Sequence, residues 1–188
     1  QALQFASQIL ETPFVQVLEL QPDRKSRRQR AGLGWQTGRV GFDIVEARGR
    51  SQAAFVLARG EPVVISDMRE EHRFIAPHML LDHNILSGIC VAIATRHQPY
   101  GLLGVYSTKP RHYTEDEVQF LLAVANALGT AADRLRTETE LQKLAAFAQL
   151  NPNPAMELAP DGNITYFNDT ALRLALSVNE NHPRGILP

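Results

Sequence analysis

The chain has 188 residues, with 19 basic and 20 acidic side chains and a net charge of -1. A nearly neutral protein has no global field that would attract nucleic acid or an anionic membrane, so we expect neither partner. The single cysteine, Cys90, excludes an internal disulfide and a multi-cysteine zinc site and favours a cytoplasmic, reducing compartment. No apolar run is long enough to span a bilayer, and no signal peptide is apparent.

The first elements are predicted to be a short helix and a β-hairpin. Apolar residues from Leu3 to Leu10 follow a helical stripe that ends before Pro13. The run Phe14 to Leu20 predicts one strand, and Gln29 to Trp35 predicts the next. A basic cluster between them predicts a solvated hairpin turn, formed by Arg24, Lys25, Arg27, Arg28 and Arg30.

Glycine-rich sequence and shorter elements follow. Glycines at positions 32, 34, 38, 41 and 49 predict irregular backbone. Ser51 is predicted to cap a helix that ends at Gly60. The segment from Pro62 to Ser66 reads as a strand, and the segment from Ile75 to His83 reads as a short helix or an irregular connector.

Two strands with small residues are predicted next, over Ser87–Thr95 and Tyr100–Thr108. In the first, bulky Ile89, Val91 and Ile93 alternate with smaller residues, so the strand has one bulky and one small face. Cys90 lies on the small face, which would allow another group to approach closely.

A long helix is predicted from about Thr114 to Leu150. It begins at a capping box formed by Thr114 and Glu117. Its apolar stripe is longer than one domain needs, and pairing with a second chain could bury it. The predicted dimer interface consists of Leu121, Val124, Leu128, Ala132 and Leu135. The alternative is one amphipathic helix packed on its own sheet.

The helix must end at Asn151-Pro152-Asn153-Pro154, because proline removes a backbone donor and disfavours helix before it. Pro160-Asp161-Gly162 predicts a turn between two short strands. Asn168 or Asp169 can then cap a further helix.

Four motifs together resemble the GAF family of bacterial sensor proteins: AGLGW at 31–35, GEPVVISD at 60–67, YGLLGVYS at 100–107 and YTEDEVQFL at 113–121. The resemblance extends from about Leu10 to Arg136. It implies an α+β fold, with a GAF-type central antiparallel sheet, flanking helices, a ligand pocket on one face and a long C-terminal linker helix.

The sequence NPNPA at 151–155, with DGNI at 161–164 and YFN at 166–168, resembles the start of a PAS domain. The expected division is therefore a GAF-like sensor domain over 1–135, a helical linker over 136–150 and an incomplete PAS-like domain over 151–188. The chain starts without Met and ends at Pro188, so we expect it to be part of a larger protein.

Amphipathic and aromatic residues near the glycine-rich turns are the candidate ligand contacts. They are Trp35, Phe74, His78, His83, Cys90 and Tyr100. Each of them could instead serve core or loop packing.

The sequence argues against the cofactors that GAF-like domains could hold. His78 and His83 would lie about 140° apart on a helix, a poor arrangement for one metal ion or for haem. Phytochrome-like bilin attachment uses a cysteine shortly before such a histidine, and none stands there. The cyclic-nucleotide motif of the family is incomplete here, because its asparagine is absent, although Lys109, Tyr113 and the pair Asp116-Glu117 resemble the rest.

The sequence therefore predicts a sensory module without a catalytic site, which binds a small molecule and signals through a dimerising helix. The output would be a downstream domain of the same chain, such as a histidine kinase or a diguanylate cyclase. The alternative is a GAF domain that binds no ligand and acts as a structural spacer or protein-interaction unit.

Overall fold

The computed structural model describes residues 1–23, 26–35, 44–46, 51–177 and 183. The chain divides into two compact units, Gln1–Asp133 and Arg134–Pro188. Within the described residues, no helix combines the length and the apolar character needed to cross a bilayer.

The first unit contains a six-stranded antiparallel sheet with helices on both faces. Its strands are β1 (Phe14–Leu20), β2 (Ser26–Leu33), β3 (Ile44–Glu46), β4 (Val63–Ile65), β5 (Ser87–Ile93) and β6 (Gly101–Ser107). Its shorter helices are α1 (Ala2–Ile9), α2 (Gln52–Arg59) and α3 (His78–Asp82), with a 3-10 turn at Met68–Glu70. The strand order is β3-β2-β1-β6-β5-β4. The predicted α+β class with a central antiparallel sheet is confirmed.

The two faces of the sheet bury separate apolar cores. On the α4 face, helix α4 (Glu115–Gln149) packs Leu121 and Ala125 against Ile89, Val91 and the other bulky strand residues. On the opposite face, here called the α2 face, Ala53 and Val56 of α2 and Leu80 of α3 pack over Leu18, Cys90 and Leu102. The alternation along β5 therefore divides its side chains between two cores, as the sequence predicts.

Local sequence signals place several element ends where the structure has them. Ser51 Oγ accepts a hydrogen bond from Ala54 N at 3.2 Å, and Gly60 has a φ of 69° at the end of α2. At the start of α4, Thr114 N donates to Glu117 Oε2 at 2.7 Å and Glu117 N donates to Thr114 Oγ1 at 3.3 Å. The capping box and the long helix are both confirmed.

Two expectations about the hairpin and about the glycine-rich segment after it are wrong. Arg27, Arg28 and Arg30 do not belong to a turn, because β2 begins at Ser26, and the side chain of Arg27 is only 2% exposed. Arg28 and Arg30 are exposed on the same strand, while Arg24 and Lys25 lie outside the described residues. Strand β3 also forms inside the segment for which the glycines predicted irregular backbone, because pairing with β2 supplies its hydrogen bonds.

The residues predicted for the dimer interface differ in how far they are exposed for contact with a second chain. Leu121 is fully buried in the chain's own core, so it cannot contact a second chain while α4 stays on the sheet. Val124 and Leu128 are partly buried against the same core, and Ala132 is half-buried. Leu135, in contrast, is 63% exposed.

The second unit contains the end of α4, a hairpin and a short helix. The hairpin strands are β7 (Met156–Leu158) and β8 (Ile164–Phe167), and the helix is α5 (Asp169–Ser177). Asn168 caps α5, because its Oδ1 accepts a hydrogen bond from Ala171 N at 2.9 Å. The predicted turn is formed with Gly162 at a φ of 81°.

Candidate functional site

The small residues on the α2 face of β5 and β6 accommodate the ring of Tyr106. A Cβ atom at Gly104 would lie 2.5 Å from the Tyr106 hydroxyl, and one at Gly88 would lie 2.4 Å from Tyr106 Cδ1. The ring is 1% exposed. The close approach expected from the sequence is therefore made by the protein's own phenol.

The Tyr106 hydroxyl joins two buried glutamines. It accepts a hydrogen bond from Gln16 Nε2 of β1 at 3.3 Å and donates to Gln52 Oε1 of α2 at 3.4 Å. Both glutamines are 3% exposed. Burial raises the pKa of Tyr106 well above its ordinary value, so the hydroxyl remains a hydrogen-bond donor at neutral pH.

An aromatic group lies beside this network. The ring of Trp35 lies 5.0 Å from that of His83, 5.1 Å from that of Phe14 and 5.9 Å from that of Tyr106. Trp35 Nε1 donates to the Val15 carbonyl at 2.8 Å. This bond fixes the indole, so it forms a rigid apolar wall.

A β-bulge turns two long polar side chains of β2 onto the α2 face. Val17 pairs with Ala31 but Leu18 pairs with Gln29, so Arg30 is the extra residue. Directly opposed residues share a face, and Leu18 belongs to the α2-face core. Gln29 and, two residues earlier, Arg27 therefore point to that face.

Arg27 and Cys90 interact electrostatically across this face. Burial lowers the pKa of the Arg27 guanidinium, and the electrostatic interaction with Cys90 raises it by a smaller amount. Burial raises the pKa of the Cys90 thiol to about 12, while a hydrogen bond with Tyr106 and the charge of Arg27 act in the other direction. At neutral pH the thiol is protonated, so Arg27 is the charged member of the pair.

Within the described part of the chain, the α2 face holds buried polar atoms that have no hydrogen-bond partners. They are Nε and Nη1 of Arg27, both amide atoms of Gln29, Oε1 of Gln16 and Nε2 of Gln52. These side chains are between 0% and 3% exposed. Buried polar atoms are nearly always paired in native proteins, so this concentration marks a place where another molecule can supply partners.

The structure brings four of the six predicted ligand contacts together and separates the other two from them. Trp35, Phe74 and Cys90 belong to the α2-face core, and His83 packs against Trp35. His78 is exposed at the start of α3. Tyr100 packs against the α4-face core, so it is separated from the others by the sheet.

Sequence reasoning missed the polar residues of this face. Tyr106, Gln16 and Gln52 fall inside predicted strands or a predicted helix without being identified as ligand contacts, and the sequence prediction places Arg27 in a turn. Periodicity alone could not identify Arg27 and Gln29, because the bulge changes their face. A signal was available in Gln16, since Phe14 and Leu18 on the same face of the strand are apolar and predict that this face is buried.

No metal centre is formed by the described residues, among which no three His, Cys, Asp or Glu side chains are grouped to share an ion. His83 Nδ1 donates to the Met79 carbonyl at 2.9 Å, and the exposed His78 does not join it. Cys90 is a buried free thiol. The polar atoms of the face suit an organic ligand with hydrogen-bonding groups better than a metal.

A family model described as the GAF domain matches residues 1–132. No curated protein sequence matches the chain significantly. Among solved structures, the GAF domain of a phosphoenolpyruvate-protein phosphotransferase from Coxiella burnetii superposes with a TM-score of 0.66 at 16% identity, covering 73% of this chain and 82% of that one.

Two further structures show the same fold. A domain of a putative two-component sensor histidine kinase from Sinorhizobium meliloti has a TM-score of 0.59 and 15% identity, covering 75% of this chain and 92% of that one. The blue-light-absorbing form of the PixJ GAF domain from Thermosynechococcus elongatus has a TM-score of 0.61 and 17% identity, covering 77% and 87%. At these identities the likeness establishes the fold.

Proposed function

The chain belongs to the GAF family, and from that premise we propose that it is a sensory module of a bacterial, cytoplasmic signalling protein that binds a small molecule on the α2 face. GAF homologues are sensory and regulatory modules, and the solved structures with this fold include a domain of a putative sensor histidine kinase and a cyanobacteriochrome photoreceptor. We assign no catalytic role to this segment.

The observation that carries the proposal is the set of buried, unpaired polar atoms on the α2 face. Their desolvation destabilises the ligand-free fold, since each buried unpaired polar atom costs about 1–3 kcal/mol. A ligand that satisfies them would recover that free energy on binding. The surrounding Trp35, Phe74 and Leu102 would contact its apolar part.

Ligand binding is tested by following the melting temperature of the full chain against a metabolite library. Ala92 lies on the α2 face, so Ala92→Leu would fill the site; Ala31→Leu makes the same change on the α4 face. We expect hits whose stabilisation is lost in Ala92→Leu and kept in Ala31→Leu. Compounds that stabilise Ala92→Leu as much as the wild type, or a library in which no compound stabilises the wild type, would contradict the proposal.

We further propose that the signal passes through a homodimer formed by the C-terminal part of α4. Four large apolar side chains there are between 60% and 76% exposed, namely Leu135, Leu141, Leu144 and Phe147. At 100° per residue, Leu141, Leu144 and Phe147 lie within about 120° of one another on the helix, so a second copy of the helix would bury these three side chains, as in a coiled coil. Leu135, the exposed member of the predicted interface, lies about 180° around the helix from Leu144, so this proposal does not place it in the same seam.

Sedimentation equilibrium of the full chain tests dimerisation. The double variant Leu144→Glu/Phe147→Glu is expected to be monomeric at concentrations where the wild type is dimeric. Leu176→Glu is the matched control, because Leu176 is 53% exposed on α5. A wild type that stays monomeric at high concentration contradicts the proposal.

For residues 151–188 we propose the beginning of a PAS domain, followed in the parent protein by an output domain such as a histidine kinase. The hairpin of β7 and β8 followed by α5 supports this assignment. The test is a chain extended at its C-terminus. A folded PAS core in which β7 and β8 pair with later strands would support the assignment, and independent folding of those later residues would contradict it.

The second candidate function is a ligand-free spacer or protein-interaction unit. The exposed apolar residues of α4 favour it, because they can bind another protein whether or not the α2 face is occupied. Dimerisation together with a library that yields no hit would select this function over sensing.

A further inference from the structure

The α2 face carries one buried positive charge that no described group neutralises. Arg27 is 2% exposed, and two of its nitrogens lack hydrogen-bond partners. Among the described residues, the ionisable group that acts on Arg27 is Cys90, which is neutral at pH 7 because burial raises its pKa to about 12. A buried guanidinium that no described group neutralises destabilises a fold strongly, so it indicates a ligand that carries the opposite charge.

Neutral hydrogen-bonding groups accompany this charge. Gln29 lies two residues from Arg27 on the same face, is fully buried and has no partner for either amide atom. Its amide lies over Gly32, beside the indole of Trp35, since a Cβ at Gly32 would be 2.4 Å from Gln29 Nε2 and 2.7 Å from Trp35 Cδ1. Gln52 supplies a further unpaired donor, Nε2, from the helix above the sheet.

We propose that the α2 face binds a small organic carboxylate, with its carboxylate paired to Arg27 and its apolar body against Trp35 and Leu18. The planar guanidinium presents two parallel donors that match the two oxygens of a carboxylate. Gln29 and Gln52 then hydrogen-bond the remaining polar atoms of the ligand. This inference rests on the proposed sensing function and names the chemical class that the site takes.

The charge balance selects a carboxylate over a phosphate ester. A carboxylate carries one negative charge, which one arginine balances, whereas a phosphate monoester carries nearly two at neutral pH. The neighbouring wall is also apolar, because Leu18, Trp35 and Leu102 are all buried in the α2-face core. A second uncompensated negative charge in such a wall would be as costly as the unpaired cation.

The test uses the full chain, with the sodium salts of formate, acetate, propanoate and benzoate as probes at matched ionic strength. The uncharged amides of the same acids are the paired controls. Melting temperature reports binding, and fluorescence of Trp35, the one tryptophan in the chain, reports whether the α2 face is occupied. The variants are Arg27→Met, which replaces a buried side chain, and Arg28→Met, which replaces an exposed side chain on the same strand.

We expect at least one carboxylate to raise the melting temperature of the wild type by about 5 °C near saturation and to change the Trp35 emission. The corresponding amide should do neither. Arg27→Met should lose this response, yet melt about 3 °C higher than the wild type without ligand, because it removes a buried unpaired charge. Arg28→Met should respond like the wild type.

The remaining outcomes separate the failure of this inference from failure of the proposed function. If the amides stabilise the protein as well as the carboxylates do, the α2 face binds ligands but the carboxylate class is wrong. If Arg27→Met melts lower than the wild type and no carboxylate acts, a carboxylate of the chain itself neutralises Arg27 and the inference is overturned. If carboxylates act equally on Arg27→Met, they bind elsewhere and the inference is again overturned.

Discussion

The hydroxyl of Tyr106 lies 3.4 Å from Oε1 of Gln52, which connects the centre of the sheet to the first turn of α2. The two residues are 54 positions apart in sequence. The ring occupies space left by Gly88 and Gly104, so one tyrosine fills the small face of the sheet and fixes the helix above it. The polar network of the candidate site is built around this contact.

Tyr106→Phe should destabilise the protein by about 2 kcal/mol, because it leaves Gln16 Nε2 and Gln52 Oε1 buried without partners. Urea denaturation measures the change. Tyr113→Phe is the control: the Tyr113 hydroxyl lies 3.3 Å from Ser87 Oγ, which also donates to the Lys109 carbonyl at 2.7 Å. Equal losses in the two variants would show that the Tyr106 network contributes nothing specific.

Gly129→Ala should destabilise the protein by about 2 kcal/mol, although alanine favours helices over glycine by about 1 kcal/mol. A Cβ at Gly129 would lie 1.9 Å from the Ala94 carbonyl oxygen, so α4 would have to move away from the end of β5. Thr130→Ala, at the next and exposed position, should be neutral or slightly stabilising. A Gly129→Ala protein more stable than the wild type in urea would refute this close approach.

Cys90 should resist alkylation in the folded protein. It is 2% exposed, and its raised pKa of about 12 leaves almost no thiolate at neutral pH. Labelling by a thiol reagent should therefore proceed at the rate of unfolding and accelerate in urea. In Ser177→Cys, which introduces an exposed thiol on α5, the new cysteine should react at once. Rapid stoichiometric labelling of the wild type without urea would contradict the burial of Cys90.

The same thiol predicts the direction of a pH dependence. Because burial raises the pKa of Cys90 in the folded state to about 12, the folded state retains this proton at pH values where the unfolded chain releases it. The contribution of this proton to the stability of the fold is complete below about pH 8.5, the ordinary cysteine pKa. It is lost as the pH rises toward the pKa of Cys90 in the folded state. Between these limits the free energy of unfolding of the wild type should fall by up to about 1.4 kcal/mol per pH unit more than that of Cys90→Ala. Parallel pH profiles of the two proteins would rule this out.

Asn168→Ala should open the hairpin of the second unit locally. The fully buried Asn168 accepts hydrogen bonds from Ala155 N and Ala171 N, and its Nδ2 lies within 3.3 Å of the carbonyls of Ala148, Asn151 and Asn153. Removing it costs the cap of α5, about 1 kcal/mol, and leaves the other groups unpaired. Amide hydrogen exchange in β7 and β8 should accelerate. Asn163→Ala, in the exposed turn, is the control and should leave the exchange in β7 and β8 unchanged. If the two variants exchange these amides at the same rate, Asn168 does not hold the hairpin closed.

Much of the fold was predictable because its signals are local. The capping box at Thr114 and Glu117, the cap at Ser51 and the turn at Gly162 depend on residues within a few positions of one another. The long helix of 35 residues follows from its start and stop signals and from the apolar spacing between them. The candidate site was only partly predictable, since Trp35, Phe74, His83 and Cys90 were named but their polar neighbours were not.

Apart from strand β3, the sequence by itself determined the element types, most of their ends, the α+β class and the GAF resemblance, because each depends on short-range patterns of polarity and capping. Only the tertiary structure decided which face Arg27 and Gln29 occupy. The extra residue at Arg30 reverses the alternation of β2, and that bulge exists only where β2 pairs with β1. The charge of the candidate site thus depends on strand pairing, which no local pattern in β2 encodes.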